Sequence, residues 1–254
     1  LSIEILMQNK IIYGVPFSQP VRAVMWLMLI KKFPFELKLI NPGSSSEGGS
    51  RHPDYLKKFP TGTIPSFEDP ETGLLISESH AIMCYLCNTN NWNDLYPSNP
   101  EQRAKVDSYL HLHHRNVREA SIGLVAPKVR KDLNFSEDFL EASKASIEKA
   151  FKAIETGWLH NSKFLIGDTM TIADISAYVE IGQLQSIFTN IYNFGPFPNI
   201  QKWLNEMQNV DCHDDIHTAL YELGDISKEA PPMEVIINAN KKAFQVIQEK
   251  LNNM

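Results

Sequence analysis

Cysteine is scarce in this chain, with three in 254 residues, at positions 84, 87 and 212. So few exclude a disulfide framework. An odd count suits a reducing compartment, so a cytoplasmic location is expected. Long apolar runs are missing too. The longest, Ala23 to Ile30, falls well short of the roughly 20 residues that a membrane helix needs. Neither sign of charge dominates: 24 Lys+Arg stand against 30 Asp+Glu, a formal net charge of -6. No basic run breaks that balance, which excludes a general nucleic-acid or anionic-membrane surface. There is no P-loop, no dinucleotide fingerprint and no H-E-x-x-H metal helix. What remains is an ordinary globular balance, 43% hydrophobic and 21% charged, and enough chain for one large or two ordinary domains.

The first ninety residues mix strand and helix signals. Residues 10–14 (KIIYG) are short, apolar and β-branched, and read as a buried strand. Ser18 before Gln19-Pro20 is a helix-start signal, and the run that follows is apolar all round, so the helix should be buried. Pro34 is expected to end it. FELKLIN alternates as a second strand, and the Gly/Ser-rich stretch 41–51 reads as a mobile loop. A short helix over 52–59, a strand after Pro65, a hairpin partner at 74–77 and a helix over 78–88 complete a β-α-β-α-β-β-α order. The first two strands should pair in parallel through a right-handed crossover, and the last two as a hairpin. The expected boundaries are 1–92 for this unit, 93–100 for a polar, Pro-containing linker and 101–254 for an all-helical domain. Helices are expected over 101–131, 136–159, 172–188, 198–208, 211–223 and 233–251, the third opened by a Thr171…Asp174 capping box. Residues 1–8 read as an added segment or an extra strand, and they lack a signal peptide's basic start and cleavage site.

Few residues stand out for chemistry. Cys84 and Cys87 form a C-x-x-C, but inside an apolar helical run, where buried structural thiols are the better reading. The spacing of His111, His113 and His114 does not put them on one helix face, so a polar helix surface is expected and no metal site.

The stretch Phe17-Ser18-Gln19-Pro20-Val21-Arg22-Ala23-Val24 resembles the S-Q-P-x-R-A-V of theta-class glutathione transferases. The resemblance extends to the Ile64-Pro65 pair, the Glu78-Ser79 pair, the Thr171…Asp174 box and the long tail after Trp203. It implies a thioredoxin-like first domain with a mixed four-stranded sheet, an all-α second domain, glutathione as co-substrate, a small hydrophobic electrophile, a role in detoxification and a homodimer. By that resemblance Ser18 activates the thiol. A hydroxyl at a helix N-terminus can donate to a thiolate, whose charge the helix dipole also favours. Tyr13 is the rival donor, read as core or site wall. Arg118, within V-D-S-Y-L-H-L-H-H-R-N-V-R, matches an arginine placed near the thiolate. Pro65 matches a cis-proline that turns the backbone of Ile64 outward to pair with a peptide. Glu78 and Ser79 would read the ammonium and carboxylate of a γ-glutamyl group.

The chain departs from the family at Thr63, where Lys is frequent, and at Ser50-Arg51, where His-Lys is frequent. Arg115 stands where some members carry Asp. Arg51, His52 and Lys57 are therefore the candidates for the glycine carboxylate, with Gln19 and Thr63 among the glutathione contacts. Peroxidase or dehalogenase activity is implied beside transfer to electrophiles. The other reading is a non-catalytic module of the same fold, serving as a hydrophobic-ligand carrier or a subunit-docking domain.

Overall fold

The computed structural model describes residues 9–254; residues 1–8, read above as an added segment or extra strand, lie outside them. The α/β half contains β1 (Lys10–Gly14), α1 (Gln19–Ile30), β2 (Phe35–Leu39), α2 (Pro53–Lys58), β3 (Ser66–Asp69), β4 (Leu74–Ser77) and α3 (Ser79–Thr89). The strand order is β2-β1-β3-β4. β1 runs parallel to β2, with Ile12 opposite Leu37. It runs antiparallel to β3, with Ile12 opposite Phe67, and β3 and β4 form the hairpin. The expected mixed four-stranded sheet is therefore present.

α1 is apolar on every face because it is covered on every face. Val21, Ala23 and each residue from Val24 to Leu29 are buried. The helix stops at Ile30, well before Pro34, where Lys32 takes a positive φ of 49°. The stretch 41–51 folds back on itself: Asn41 bridges Gly49, and the Arg51 N–H donates to the Ser44 carbonyl at 2.9 Å. A Cβ on Gly49 would lie 2.1 Å from the Ser44 carbonyl oxygen, so this turn admits only glycine. Glycine there serves a close approach, where composition suggested only looseness.

The helical half contains α4 (Pro100–His113), α5 (Ala126–Val129), α6 (Glu137–Ala153), α7 (Ile172–Ile181), α8 (Pro198–Gln208), α9 (His213–Leu223) and α10 (Met233–Asn252). The single helix expected over 101–131 is broken. α4 ends at His113, and a wide π-type turn over Ala120–Val125 precedes α5. Gly123 lies in that turn, where a Cβ would meet the Ser143 Cβ at 2.4 Å. The break sets Arg118 in the connection rather than on a helix face. The expected capping box is present: Thr171 accepts from the Ala173 N–H, and Asp174 accepts from the Thr171 N–H at 2.9 Å. Asp174 also accepts from the Leu165 N–H and the Trp203 indole, tying three segments together.

α7 is buried along its whole length and packs against α1, so one apolar core runs through both halves. Arg22 lies inside it, fully buried. Its Nη1 donates to the Phe17 carbonyl at 2.5 Å and its Nη2 to the Val179 carbonyl at 3.1 Å. Burial pulls its guanidinium down to about 9, against the pull of Glu180. The arginine of the S-Q-P-x-R-A stretch thus clamps the residue before Ser18 to the second half of the chain.

Candidate active site

Two cavities lie between the halves, and Ile64 and Arg118 line both. The smaller, about 180 Å³, is lined by Thr63, Pro65, Glu78, Ser79, His80, His113, His114 and Glu180 among others. The larger, about 1020 Å³, is bounded by Phe17, Ser18 and Gln19, by loop 41–48, by Ser121–Val129 and by the first half of α10.

Ser18 stands at the N-cap of α1 with extended backbone (φ -68, ψ 125), and its side chain makes no capping hydrogen bond. Ser/Thr at this position usually folds its oxygen back onto the helix. Here the hydroxyl is left without a partner among the described residues, and Ser18 lines the large cavity. Tyr13 does not compete. Its hydroxyl donates to Glu68 at 2.5 Å, and burial together with that bond raises its pKa to about 12. Its ring packs on Tyr55 and Phe59. Of the two roles read for it, core is the one it fills.

The Ile64-Pro65 peptide is cis, as the sequence pair implied. Tyr55 Oη and Ser66 Oγ both donate to the Thr63 carbonyl, whereas the N–H and carbonyl of Ile64 have no partner among the described residues. That leaves the backbone of one residue free to pair with a peptide. Glu78 takes a positive φ of 78°, a conformation that costs a non-glycine residue about 1–3 kcal/mol and gathers at functional sites. It precedes α3, and buried Ser79 is that helix's first residue.

Arg118 donates to the buried carboxylate of Glu180 and, at 3.4 Å, to the Gln19 amide oxygen. The Gln19 side chain itself is turned into the interface between halves, where its amide donates to Gln183 at 2.8 Å. What α1 presents here is its backbone: helix N-terminal amides lack intrahelical partners and attract anions.

Arg51 and His52 line neither cavity. His52 caps α2, its Nδ1 accepting from the Asp54 N–H at 3.3 Å, and Lys57 pairs with Asp54. The histidine cluster is not a polar surface throughout. His113 is 4% exposed, and its ring meets that of His80 at 4.9 Å. No group of three or more metal-binding side chains forms among the described residues. Cys87 is buried inside α3, and burial pushes its thiol up to about 12. The sequence reading missed Glu180, Ser121 and Gln183. The signal for Glu180 was a carboxylate inside the apolar run of α7, where burial demands a partner.

The tail reaches the site. The Phe17 N–H donates to Asn240 of α10 at 2.9 Å. Met233, Ile236, Ile237 and Phe244 line the large cavity. Three unusually exposed apolar residues, Leu39 (49%), Met233 (56%) and Ile237 (47%), stand on its lining.

This arrangement has relatives. The family model described as glutathione S-transferase, N-terminal domain, matches residues 12–94, and that of the C-terminal domain matches residues 117–211. Glutathione S-transferase T3 of Arabidopsis thaliana is 27% identical over 94% of this chain and 42% of its own length. Arabidopsis T2 is 28% identical over 89% and 41%. This chain thus spans about two fifths of the length of those two relatives. Glutathione S-transferase theta-1 of Homo sapiens is 25% identical over 87% of this chain and 90% of its own. Among solved structures, a Bombyx mori glutathione transferase superposes with a TM-score of 0.71 at 25% identity, covering 94% of this chain and 98% of its own. Human glutathione-S-transferase T1-1 shares the fold, with a TM-score of 0.73 at 22% identity over 96% and 100%. With one family's models matching both halves, and theta-class proteins among the relatives, the chain belongs to the glutathione S-transferase family.

Proposed function

We propose that the protein transfers glutathione to small apolar electrophiles, with the Ser18 hydroxyl donating to the thiolate. The observation that carries this reading is the free Ser18 hydroxyl at the open N-terminus of α1, on a cavity it shares with Arg118. A neutral thiol gains little from a donor, whereas a thiolate gains a charge-assisted bond worth about 1.5–3 kcal/mol. The dipole of α1 and the Arg118 guanidinium favour the same charge.

In this reading glutathione lies against the edge opened at Ile64. Its γ-glutamyl end sits at Thr63, Pro65, Glu78 and Ser79, and its sulfur faces Ser18 beside Gln19. The glycine carboxylate extends toward solvent, where Arg51 and His52 are the nearest candidates in sequence. The electrophile occupies the large apolar cavity. Attack on carbon forms a carbon–sulfur bond and expels the leaving group, which is halide in an alkyl halide. On a hydroperoxide the thiolate attacks oxygen and expels the alkoxide, which leaves as the alcohol. A second glutathione then displaces water from the sulfenic acid to give the disulfide, so dehalogenase and peroxidase activities belong to the proposal. So do a detoxifying role, a cytoplasmic location and a homodimer. The proposed boundaries remain 1–92, 93–100 and 101–254. A glutathione-dependent screen over alkyl halides, organic hydroperoxides and chlorodinitrobenzene tests the proposal; no turnover of any class would return the protein to the non-catalytic reading.

A further inference from the structure

Five side chains close a hydrogen-bonded ring between the halves of the chain. Gln19 Nε2 donates to Gln183 Oε1 at 2.8 Å, and Gln183 Nε2 donates to Ser121 Oγ at 2.7 Å. Ser121 Oγ donates to Glu180 Oε2, and Arg118 Nη1 donates both to Glu180 Oε1 and, at 3.4 Å, to Gln19 Oε1. Every member is spoken for. Gln183 gives its second proton to the Glu180 carbonyl at 3.0 Å. Gln183 is fully buried, Glu180 is 1% exposed and Ser121 5%. Two donor paths leave Arg118 and meet at Glu180, one direct and one through Gln19, Gln183 and Ser121, so neither amide can flip without breaking at least two bonds.

Glu180 is the one carboxylate of the ring and its only net acceptor. Without it, Arg118 would hold an unpaired cation against a low-dielectric wall, a position burial penalises. The Arg118 side chain is already 29% exposed. A guanidinium on a flexible stem with water in reach would turn outward. The other charged or titratable groups facing Glu180 are His113, with Nε2 at 4.0 Å, the buried Arg22 of α1 and the buried Tyr109 of α4. Arg22 bonds two carbonyls and Tyr109 bonds His113, which leaves Arg118 as the partly exposed partner.

We propose that Glu180 is a positioning residue for thiol activation. It holds Arg118 at the wall between the two cavities, and through the ring it fixes Gln19, the first residue of the helix that follows Ser18. This rests on the transferase reading above, and the test separates the two. The ultraviolet absorbance of the bound glutathione thiolate is followed against pH in wild type, Glu180→Gln, Arg118→Ala and the double variant. Glu180→Gln should move the thiolate midpoint upward by about one pH unit, the size expected when a charge neighbour is lost. Arg118→Ala should move it as far, and the double variant no further, because the two act as one unit. At neutral pH, kcat should fall about tenfold in Glu180→Gln with KM for glutathione little changed. An unmoved midpoint in Glu180→Gln overturns the proposal. So does a downward move, which would make Glu180 a damper of the Arg118 charge. If Glu180→Gln does not fold, Ser121→Ala, which removes one of the two groups holding Glu180, should shift the midpoint in the same direction by less; no shift there overturns the proposal. A wild type with no thiolate absorbance at any pH overturns the transferase reading itself and this proposal with it.

Discussion

The hydroxyl of Tyr13 donates to Glu68 at 2.5 Å, and this bond turns the rival thiol activator away from the cavity that Ser18 lines. Ser18→Ala should therefore cost about ten- to a hundredfold in turnover, the worth of one charge-assisted hydrogen bond, with glutathione affinity nearly intact. The thiolate midpoint should rise in Ser18→Ala. Tyr13→Phe should leave both midpoint and turnover alone and lower stability slightly through the lost Glu68 bond. The opposite pattern would hand the chemistry to Tyr13.

Glu78 keeps a positive φ of 78° at the start of α3 although its side chain makes no capping bond. Helix capping therefore does not account for its carboxylate; the proposed function gives it the ammonium of the γ-glutamyl group as partner. Glu78→Ala should weaken glutathione binding about tenfold by calorimetry while the melting temperature holds or rises. Glu78→Gly should be more stable still, because glycine adopts that φ without strain. Equal glutathione affinity in wild type and Glu78→Ala would take Glu78 out of the site.

What was legible in the sequence divides along a physical line. The strands, the buried α1, the capping box and the Ile64-Pro65 turn are written in local patterns of period, capping and proline, and each stands close to where those patterns put it. The break after His113 was not legible. The stretch 114–125 carries no proline to mark a break, and the close approach of Gly123 to Ser143, twenty positions away, is a contact only the folded chain shows. The folded-back turn at 41–51 was missed for a similar reason, since Gly49 answers a contact with Ser44 and not a need for freedom. Ser18 could be found from a motif. The ring around Glu180 could not, because its members come from three separate stretches of chain and only folding brings their complementary donors and acceptors together.

α10 forms part of the wall of the large cavity. Ala239, Ala243 and Ile247 anchor the helix on their buried face, while Ile236 and Phe244 face the cavity. Phe244→Ala enlarges the cavity without uprooting the helix. It should shift kcat/KM among electrophiles toward bulkier members of a homologous alkyl series, by about three- to tenfold, with the KM for glutathione unchanged. A uniform change across the series would mean that the side chain serves packing alone. Asn240→Ala, which removes the acceptor for the Phe17 N–H, should instead lower turnover on all electrophiles together, because it loosens the segment that carries Ser18.

Of the four buried histidines, the three that burial lowers furthest do most to make stability fall in acid. Burial lowers His80 to about 3 and holds His113 and His217 well below the ordinary imidazole range. All three are neutral in the folded protein. In the unfolded chain they take up protons as pH falls through about 6.5, so the unfolded state binds more protons and stability drops. Asp174 works the other way: burial raises its carboxyl to about 6 against four donors, so the folded state gains one proton where the unfolded carboxyl is still ionised. Three groups against one leave a net loss on the order of 3 kcal/mol per pH unit below about 6. The melting temperature should be level from pH 7 to 8 and fall steeply from pH 6.5 to 5. His217 stacks on Phe188 and lies edge-on to Trp26, with its Nε2 unpartnered. His217→Phe therefore removes one titrating group and one unsatisfied nitrogen together, and should flatten the acid slope by about half. A melting temperature that is the same at pH 5 and pH 7.5 would show that these imidazoles are charged in the folded protein, with water reaching all three.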